Sequence, residues 1–330
     1  RRGMYLVTGG AGFIGSNIVA ALTEAGARVV VCDRLGTAGK WENLAKRELE
    51  AVAPPDALDA LLDDYGPHLR AVIHMGAVSD TTETDADHLR AQNLEPSLRL
   101  WRWCAGARVP FIYASSAATY GDGAQGFDDS ADRAHLARLR PLNAYAWTKH
   151  VVDRWIARRI AEGEPAPPQW AGLKFFNVYG PNEAHKGGQA SVAKHLFDQV
   201  QRGEPAKLFT SHRAGIAHGE QMRDFVWVGD CVAVVQWLLA NPQVSGLFNL
   251  GTGTARSFND LAAAVFAALG RPAEITYIEM PQALRARYQY HTRAAMQRLR
   301  AAGYDAPFTA LEEGVRRYVQ DYLLQPDPYR

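Results

Sequence analysis

Two side chains one helical turn apart give the first chemical signal in this sequence. Tyr145 and Lys149 stand at positions i and i+4 of a segment with a helical pattern, so they share one face. A free tyrosine has a pKa of about 10 and is a poor base at neutral pH, but a nearby ammonium favours the phenolate. Such a tyrosine can take a proton from a substrate hydroxyl while hydride leaves the adjoining carbon. The alternative is a surface pair, since this spacing also occurs by chance.

Hydroxyl side chains follow an apolar segment shortly before that helix. Residues 111–114 are predicted to form a strand, and Ser116 and Thr119 come directly after it. Open α/β sheets bind their ligands at the carboxyl ends of the strands. Either hydroxyl can therefore hydrogen-bond the substrate oxygen beside Tyr145, and loop capping is the alternative role for each.

A glycine-rich turn at the start of the chain indicates a nucleotide site. Gly9, Gly12 and Gly15 form a G-x-x-G-x-x-G motif between an apolar strand and a helical pattern. The first glycine permits the tight turn, the second lets the backbone approach a pyrophosphate, and the third lets helix and strand pack closely. The N-terminus of the helix then offers free N–H groups to the phosphates. The motif predicts a dinucleotide-binding site.

Residues after the second strand bear on the choice between NAD and NADP. Asp33 at the strand end can bond a ribose 2′-hydroxyl, which favours NAD. Arg34 and Lys40 can pair with a 2′-phosphate, which favours NADP. The alternative for these two cations is a pair of solvated surface charges.

Arg223 precedes an apolar segment and can hold a diphosphate through its bidentate guanidinium. The alternative is a surface ion pair with Asp224 or Glu220. His185 and His195 have no further donor at the spacing of a metal site, so we expect no bound metal.

Alternating strand and helix patterns must position these groups. Apolar strands are predicted at residues 4–8, 28–33, 71–74, 109–114 and 173–176, with helical patterns between them. This alternation predicts an α/β fold built on a doubly wound parallel Rossmann sheet. We expect a dinucleotide-binding domain from residues 1–176 and 224–250. A smaller, discontinuous α+β lobe that binds the substrate is expected from residues 177–223 and 251–330.

Composition excludes several classes of protein. Of the 330 residues, 36 are Lys or Arg and 35 are Asp or Glu, so the net charge of +1 predicts neither a nucleic-acid nor a membrane partner. The longest apolar run is too short to span a bilayer, and no apolar leader precedes the first strand. Three scattered cysteines are too few for a disulfide framework. We therefore expect a cytoplasmic protein.

With these motifs in place, the chain resembles the extended short-chain dehydrogenase/reductase family, from Met4 to about Tyr322. Within that family it is similar to the epimerases of nucleotide-linked heptoses. Beside the groups already named, the resemblance is carried by six local strings, at His74–Glu83, Ala114–Gly121, Phe176–Pro181, His185–Gly187, Arg223–Asp230 and Arg287–Gln289.

The resemblance implies which residues hold the cofactor, one tightly bound NADP per subunit. They lie in the glycine-rich turn, after the second and fourth strands, on the next helix and near the catalytic tyrosine: Gly9, Gly12, Phe13, Ile14, Gly15, Asp33, Arg34, Lys40, Met75, Gly76, Ala77, Val78, Ser79, Gln92 or Asn93, Lys149 and Val178.

The resemblance also implies a two-base reaction. Tyr145 would be one acid/base and Lys186 the other, with Ser116 and Lys149 assisting. The sugar nucleotide would be held by Asn177, Gly188, His195, Phe209, Thr210, Ser211, His212, Arg223 and Tyr288. The implied activity inverts C6″ of ADP-D-glycero-β-D-manno-heptose through a transient 6″-ketone, a step towards a lipopolysaccharide core precursor. Closed homo-oligomers, pentamers in particular, are implied as well.

Some residues depart from the family's pattern. Met75 stands where a glutamate is usual, Pro54-Pro55 replaces a cofactor-binding lysine, and residues 129–140 and 211–221 look enlarged. Two alternatives stay open: another sugar-nucleotide epimerase, such as a 4-epimerase, or a non-catalytic NADP-binding regulator on the same fold.

Overall fold

Seven parallel strands form the central sheet of this chain, whose computed structural model describes residues 3–330. The sheet has the spatial order β3-β2-β1-β4-β5-β6-β11, and each neighbouring pair is parallel. The strands of the chain are β1 Met4–Thr8, β2 Arg28–Cys32, β3 Ala51–Ala53, β4 Leu69–His74, β5 Phe111–Ser116, β6 Trp170–Phe175, β7 Asn177–Tyr179, β8 Ala206–Phe209, β9 Met222–Arg223, β10 Phe225–Trp227, β11 Gly246–Leu250, β12 Arg256–Ser257 and β13 Ile275–Ile278. The predicted doubly wound parallel sheet is confirmed.

Helices follow most strands of the sheet. They are α1 Phe13–Glu24, α2 Leu58–Tyr65, α3 Ala86–Leu89, α4 Glu95–Ala107, α5 Arg133–Arg138, α6 Ala144–Ala161, α7 Val192–Gln201, α8 Val228–Ala240, α9 Phe258–Ala268, α10 Gln282–Arg285, α11 Gln297–Ala301 and α12 Leu311–Arg316. Short 3₁₀ turns also border the site, at Lys40–Leu44, Ala117–Tyr120 and Ala184–Gln189. Within residues 3–330, no helix combines the length and apolar character needed to cross a membrane.

The order of strands reverses between β1 and β4. From β1 the chain runs outward to β2 and β3, then returns to β4 on the other side of β1. The loops after β1 and β4 therefore diverge at the carboxyl edge, where Thr8 pairs in register with Cys32 and His74. Such a switch point is where open α/β sheets bind their ligands.

Two apolar cores hold the chain together. The larger packs both faces of the seven-stranded sheet, and it includes residues from β11 and the segment 294–304. The smaller joins α7, α9, α12, β8 and the rings of Tyr179, Phe225 and Trp227. The predicted division into two domains stays a prediction.

Two strands differ from what the apolar pattern suggests. β3 is a three-residue edge strand with partly exposed side chains, so it carries no apolar run. β10 is fully buried, yet it pairs with β7 in a separate two-stranded sheet. Of the apolar segment 224–250, the strand that joins the large sheet is β11.

Candidate active site

The glycine-rich turn is packed so tightly that two of its glycines cannot carry a side chain. Gly9 has φ +62°, and a Cβ there would lie 2.6 Å from the backbone nitrogen of Gly76. A Cβ on Gly15 would lie 2.1 Å from the carbonyl oxygen of Gly9. No side chain caps the N-terminus of α1 at Gly12, so its first N–H groups remain available to an anion.

The Asp33 carboxylate, just after β2, is contacted by three donors. It accepts hydrogen bonds from the Ala11 N–H at 3.0 Å and from the Arg34 N–H at 2.8 Å. The Lys40 ammonium pairs with the same carboxylate at 2.9 Å. The Arg34 guanidinium is exposed and bonds no side chain in the part of the chain that the structure describes.

The loop after β4, residues 75–79, is fixed from both sides. The N–H groups of Met75 and Gly76 donate to the backbone and the hydroxyl of Thr8. Asn93 accepts from the Val78 N–H at 2.8 Å and donates to the Val78 carbonyl at 3.0 Å. The side chain of Asn93 therefore holds this loop, while the neighbouring Gln92 is only partly buried.

The predicted catalytic pair lies near the N-terminus of α6. The helix begins at Ala144 because the Asn143 side chain accepts the Ala146 N–H at 2.7 Å, which caps it. Tyr145 and Lys149 share a face, with the ammonium 6.0 Å from the centre of the Tyr145 ring. Lys149 also donates to the Ala114 carbonyl of β5 at 2.9 Å.

Burial governs the titration of both groups. It raises the pKa of Tyr145, and a hydrogen bond with the Ser116 side chain partly opposes that rise. Burial lowers the pKa of Lys149 to about 8, although the Asp153 carboxylate opposes this. Lys149 is therefore still mainly an ammonium at pH 7, and Ser116 is the strand-end hydroxyl that reaches the tyrosine.

Thr119, the second hydroxyl considered for the substrate, is fully buried and already engaged. It donates to the Ser116 carbonyl at 2.8 Å and accepts from the Lys174 ammonium at 2.7 Å. Its hydroxyl therefore supports the strand end, and of the two hydroxyls only that of Ser116 contacts Tyr145.

Lys186 lies in the 3₁₀ turn Ala184–Gln189, beside the glycine-rich turn. Its ammonium is 5.5 Å from the centre of the Phe13 ring, at the start of α1. Burial lowers its pKa, and Glu183 opposes this. Burial, Lys40 and Lys186 together lower the pKa of the adjoining His185 to about 4.

Arg223 is a buried cation without a carboxylate partner among residues 3–330. Its guanidinium donates to the Met222 carbonyl at 2.8 Å and lies 5.0 Å from the centre of the Tyr288 ring. Neither suggested ion-pair partner is used: Asp224 instead accepts from the N–H groups of Thr252, Gly253 and Ala294, and Glu220 accepts from Asn259.

The other residues expected to bind substrate lie in three parts of the chain: Asn177, Gly188 with His195, and Phe209 to His212. Phe209 meets the Tyr288 ring edge-on at 6.2 Å, and it continues into Thr210, Ser211 and His212. Asn177 begins β7, and its N–H donates to the Asp224 carbonyl. The His195 ring is 3.2 Å from the Gly188 carbonyl.

The expected cofactor residues Ile14 and Val178 are partly buried on α1 and β7.

The sequence analysis did not identify several residues that the structure brings to the candidate site. Tyr290 packs edge-on against Tyr288 at 5.4 Å, and Arg213 lies 4.7 Å from the Tyr290 ring. Asp153 and Lys174 form an ion pair beneath the predicted catalytic residues. A signal for that pair existed: Lys174 interrupts the apolar strand β6, and Asp153 lies one turn after Lys149.

Within residues 3–330, no cluster of three His, Cys, Asp or Glu side chains could hold a metal ion.

Comparison with known proteins adds a family match. The model of the NAD dependent epimerase/dehydratase family matches residues 5–251. A curated protein of Nitratidesulfovibrio vulgaris, named ADP-L-glycero-D-manno-heptose-6-epimerase, is 49% identical over 329 residues, which is 99% of this chain and 100% of that protein.

Solved structures with similar folds include two epimerases. The Helicobacter pylori ADP-L-glycero-D-manno-heptose-6-epimerase has a TM-score of 0.79 at 28% identity, covering 97% of this chain and 96% of that one. The Thermus thermophilus UDP-glucose 4-epimerase in complex with NAD has a TM-score of 0.73 at 27% identity, covering 95% and 96%.

Proposed function

This chain belongs to the NAD dependent epimerase/dehydratase family, and we infer that it is the isomerase that inverts C6″ of ADP-D-glycero-β-D-manno-heptose. The product is the L-glycero epimer, a precursor of the lipopolysaccharide core. The observation that carries this conclusion is the full-length identity of 49% to a protein named for that activity, together with the Tyr145, Lys149 and Ser116 set at the sheet edge.

The residues present fit a nicotinamide dinucleotide. The uncapped N-terminus of α1 and the backbone packing at Gly9 and Gly15 leave the glycine-rich turn shaped for a diphosphate. We propose that the dinucleotide is NADP. The Asp33 carboxylate is already bonded by two N–H groups and by Lys40, so its negative charge is offset. The free Arg34 guanidinium beside it favours a 2′-phosphate.

We propose that Tyr145 moves the proton at O6″. A nicotinamide held beside these residues would supply the hydride acceptor and donor for C6″, and its positive charge would favour the Tyr145 phenolate. Tyr145 accepts the O6″ proton of one epimer as that epimer is oxidised, and it gives a proton back only when the same epimer is formed again. Ser116 orients the substrate oxygen, and the Lys149 ammonium stabilises the phenolate.

Inversion requires hydride return to the opposite face of C6″, so a second proton donor is needed there. We propose Lys186 for this role. Burial lowers its pKa, which is what a lysine needs to exchange protons near neutral pH. A different role, neutralising a diphosphate, is open to the same ammonium, because it lies beside Phe13 at the start of α1.

The ADP moiety supplies the anion that Arg223 lacks. A buried guanidinium without a carboxylate partner is costly unless a ligand provides an anion. We propose that it holds the substrate diphosphate through a bidentate bond, with the Tyr288 ring beside it and the Phe209 ring packed against Tyr288.

Two alternatives differ from this function in testable ways. A UDP-sugar 4-epimerase shares the fold, but at 27% identity against 49% for the curated heptose 6-epimerase. A non-catalytic regulator would bind the cofactor without redox change on adding substrate. Among the family's reactions, a dehydratase would need an acidic pair beside Ser116, where this chain has Ala117 and Ala118.

The deciding experiment is NMR of the product after incubation with ADP-D-glycero-β-D-manno-heptose. We expect the L-glycero epimer at C6″, without added cofactor being consumed. UDP-glucose serves as the control substrate. Conversion of UDP-glucose at C4 without conversion of the heptose would assign the enzyme to the 4-epimerases. Bound cofactor with neither conversion would support the regulator.

We also infer a homo-oligomer and a cytoplasmic location. The family resemblance supports a closed ring, a pentamer in particular, and sedimentation velocity measures the subunit number. The three cysteines are free and buried, which suits a reducing compartment. Cell fractionation tests the location.

A further inference from the structure

A fully buried ion pair lies directly beneath the predicted catalytic residues. The Lys174 ammonium of β6 is 3.3 Å from the Asp153 carboxylate of α6, and neither side chain is exposed to solvent. Nothing in the reaction proposed above uses either group. Removing two charges from water is costly unless other bonds compensate, so the remaining bonds of this pair indicate what it positions.

Those bonds all lead to the strand end that carries Ser116. The Asp153 carboxylate accepts from the Tyr113 hydroxyl at 2.9 Å and from the Ser115 hydroxyl at 2.7 Å. The Lys174 ammonium donates to Thr119, whose hydroxyl donates to the Ser116 carbonyl. The pair therefore fixes β5 and the following turn against α6, which also bears Tyr145.

The Asp153 carboxylate of this pair also acts on Lys149. Asp153 follows Lys149 by one helical turn on α6. The groups that interact with Lys149 are His74 of β4 and Tyr145 and Asp153 of α6. Tyr113 of β5 and Lys174 of β6 are bonded to that Asp153 carboxylate. Asp153 is the carboxylate among them, and it also offsets the charge of Lys174.

We propose that Asp153 and Lys174 are positioning residues for the reaction: Asp153 cancels the charge of Lys174, so that Lys149 remains an ammonium beside Tyr145. The pair also holds Ser116 in place through Thr119. This inference rests on the proposed function only in taking Tyr145 and Lys149 as the catalytic pair.

The pKa values support the direction of this effect. Burial lowers the pKa of Lys149 to about 8, and the Asp153 carboxylate acts against that fall. Without Asp153, an unpaired Lys174 would add a like charge to the same buried region. Loss of a nearby opposite charge lowers a lysine pKa, so a larger share of Lys149 would be neutral at pH 7.

The test measures the Lys149 titration directly, with no substrate present. The protein is labelled with [¹³Cε]lysine, and the Lys149 signal is assigned from its loss in Lys149→Met. In Asp153→Asn, which keeps the size of the side chain, we expect the Lys149 pKa to fall by at least about one unit. In the wild-type background, Lys174→Met leaves Asp153 unpaired, and we expect the Lys149 pKa to rise.

The double variant separates charge from structure. Asp153→Asn combined with Lys174→Met removes both charges of the pair. The Lys149 pKa of this double variant should lie closer to the wild-type value than that of Asp153→Asn alone. The alkaline limb of its pH–kcat profile should shift back towards the wild type in the same way. Tyr113→Phe is the matched control, because it removes a hydrogen bond to Asp153 and no charge. Its Lys149 titration should match that of the wild type.

Two results would overturn the proposal. One is a Lys149 pKa that Lys174→Met does not raise, which remains measurable even if Asp153→Asn fails to fold. The other is a double variant no closer to the wild type than Asp153→Asn. Failure of the proposed function is distinguished from both by the product assay on the wild-type protein, because the NMR titration needs no turnover.

Discussion

At the scale of single residues, the site is defined by cations that lack carboxylate bonds. Four cations make no ion pair within residues 3–330: Arg34, Lys149, Lys186 and Arg223. All of them except Arg34 are at least partly buried. A cation held this way favours an anion that arrives with the ligand. The diphosphates of cofactor and substrate, the 2′-phosphate and the tyrosine phenolate are the anions that the proposed reaction brings.

The first prediction concerns cofactor choice. Arg34→Ala should weaken NADP binding by about tenfold or more, because a hydrogen bond to a charged group contributes roughly 1.5–3 kcal/mol. NAD binding should change little, since NAD has no 2′-phosphate. Isothermal titration of cofactor-free protein with each dinucleotide measures both. Equal NADP affinity in variant and wild type would remove Arg34 from the 2′-phosphate site.

The second prediction concerns the acid/base. Tyr145→Phe removes one hydroxyl and keeps the ring, so the fold and the bound cofactor should be retained. Turnover should fall by about 10²–10⁴, the usual contribution of general acid–base catalysis. Product NMR gives the rate, and the absorbance of released cofactor gives occupancy. A rate within a few-fold of the wild type would leave the tyrosine with a structural role.

The third prediction separates two roles of Lys186. Lys186→Met keeps the apolar stem and loses the proton. If Lys186 is the second acid/base, kcat should fall by at least about 10² with cofactor binding unchanged. If it only neutralises a diphosphate, KM should rise while kcat stays nearly constant. Steady-state kinetics across substrate concentrations decides, and the second pattern would contradict the proposed mechanism.

At the scale of elements, the sequence predicts what local patterns encode. The apolar runs at 4–8, 28–33 and 71–74 and the glycine-rich turn predict the β1-α1-β2 unit and β4, because strands buried on both faces read as continuous apolar runs. The predicted helix 145–160 is close to the observed Ala144–Ala161. Ser116 and Tyr145 meet because the strand end and the start of the helix lie at the same sheet edge.

Partners distant along the chain could not be predicted this way. An apolar run reports burial and not which strand lies alongside, so β10 read like a strand of the large sheet although it pairs with β7. Asp153 and Lys174 belong to different elements, and only tertiary packing brings their charges together. Likewise, the role of Thr119 depends on Lys174, so the strand-end pattern alone could not separate it from Ser116.

The fourth prediction tests the packing of α1 on its turn. In Gly15→Ala, the new Cβ would lie 2.1 Å from the Gly9 carbonyl oxygen, so α1 must shift away from the turn. Such overpacking typically costs about 1–3 kcal/mol, and the displaced N–H groups should bind the dinucleotide more weakly. Urea unfolding and cofactor titration measure the two effects.

Gly106→Ala is the matched control for that change. Gly106 lies in α4, and a Cβ there would have no atom within 4 Å. Replacing a helical glycine by alanine stabilises a helix by up to about 1 kcal/mol. A Gly15→Ala protein as stable as this control, with native cofactor affinity, would show that the turn tolerates a side chain.

At the scale of the whole molecule, a net charge of +1 provides little general repulsion. The response of its stability to pH must therefore come from particular groups. Burial perturbs two histidines, His74 and His150. Both ring nitrogens of His74 lie within bonding distance of the Thr8 and Ser97 hydroxyls. His150 has no hydrogen-bond partner for either ring nitrogen within residues 3–330. Burial lowers the pKa of His74 to about 3 and that of His150 to about 4.

The fifth prediction is a loss of stability in mild acid. An unfolded histidine has a pKa of about 6.5, so between that value and about 4 the unfolded chain binds protons that folded His74 and His150 do not. The stability that these groups contribute is complete above pH 6.5 and falls as the pH drops, by up to about 1.4 kcal/mol per pH unit for each histidine.

Urea unfolding at pH 7, 6 and 5 measures the slope of the unfolding free energy against pH. His150→Gln should reduce the slope by the equivalent of about one proton. His88→Gln, at an exposed position, is the control for replacing a histidine that is not buried. Parallel slopes for His150→Gln and the wild type would mean that His150 takes up its proton without unfolding.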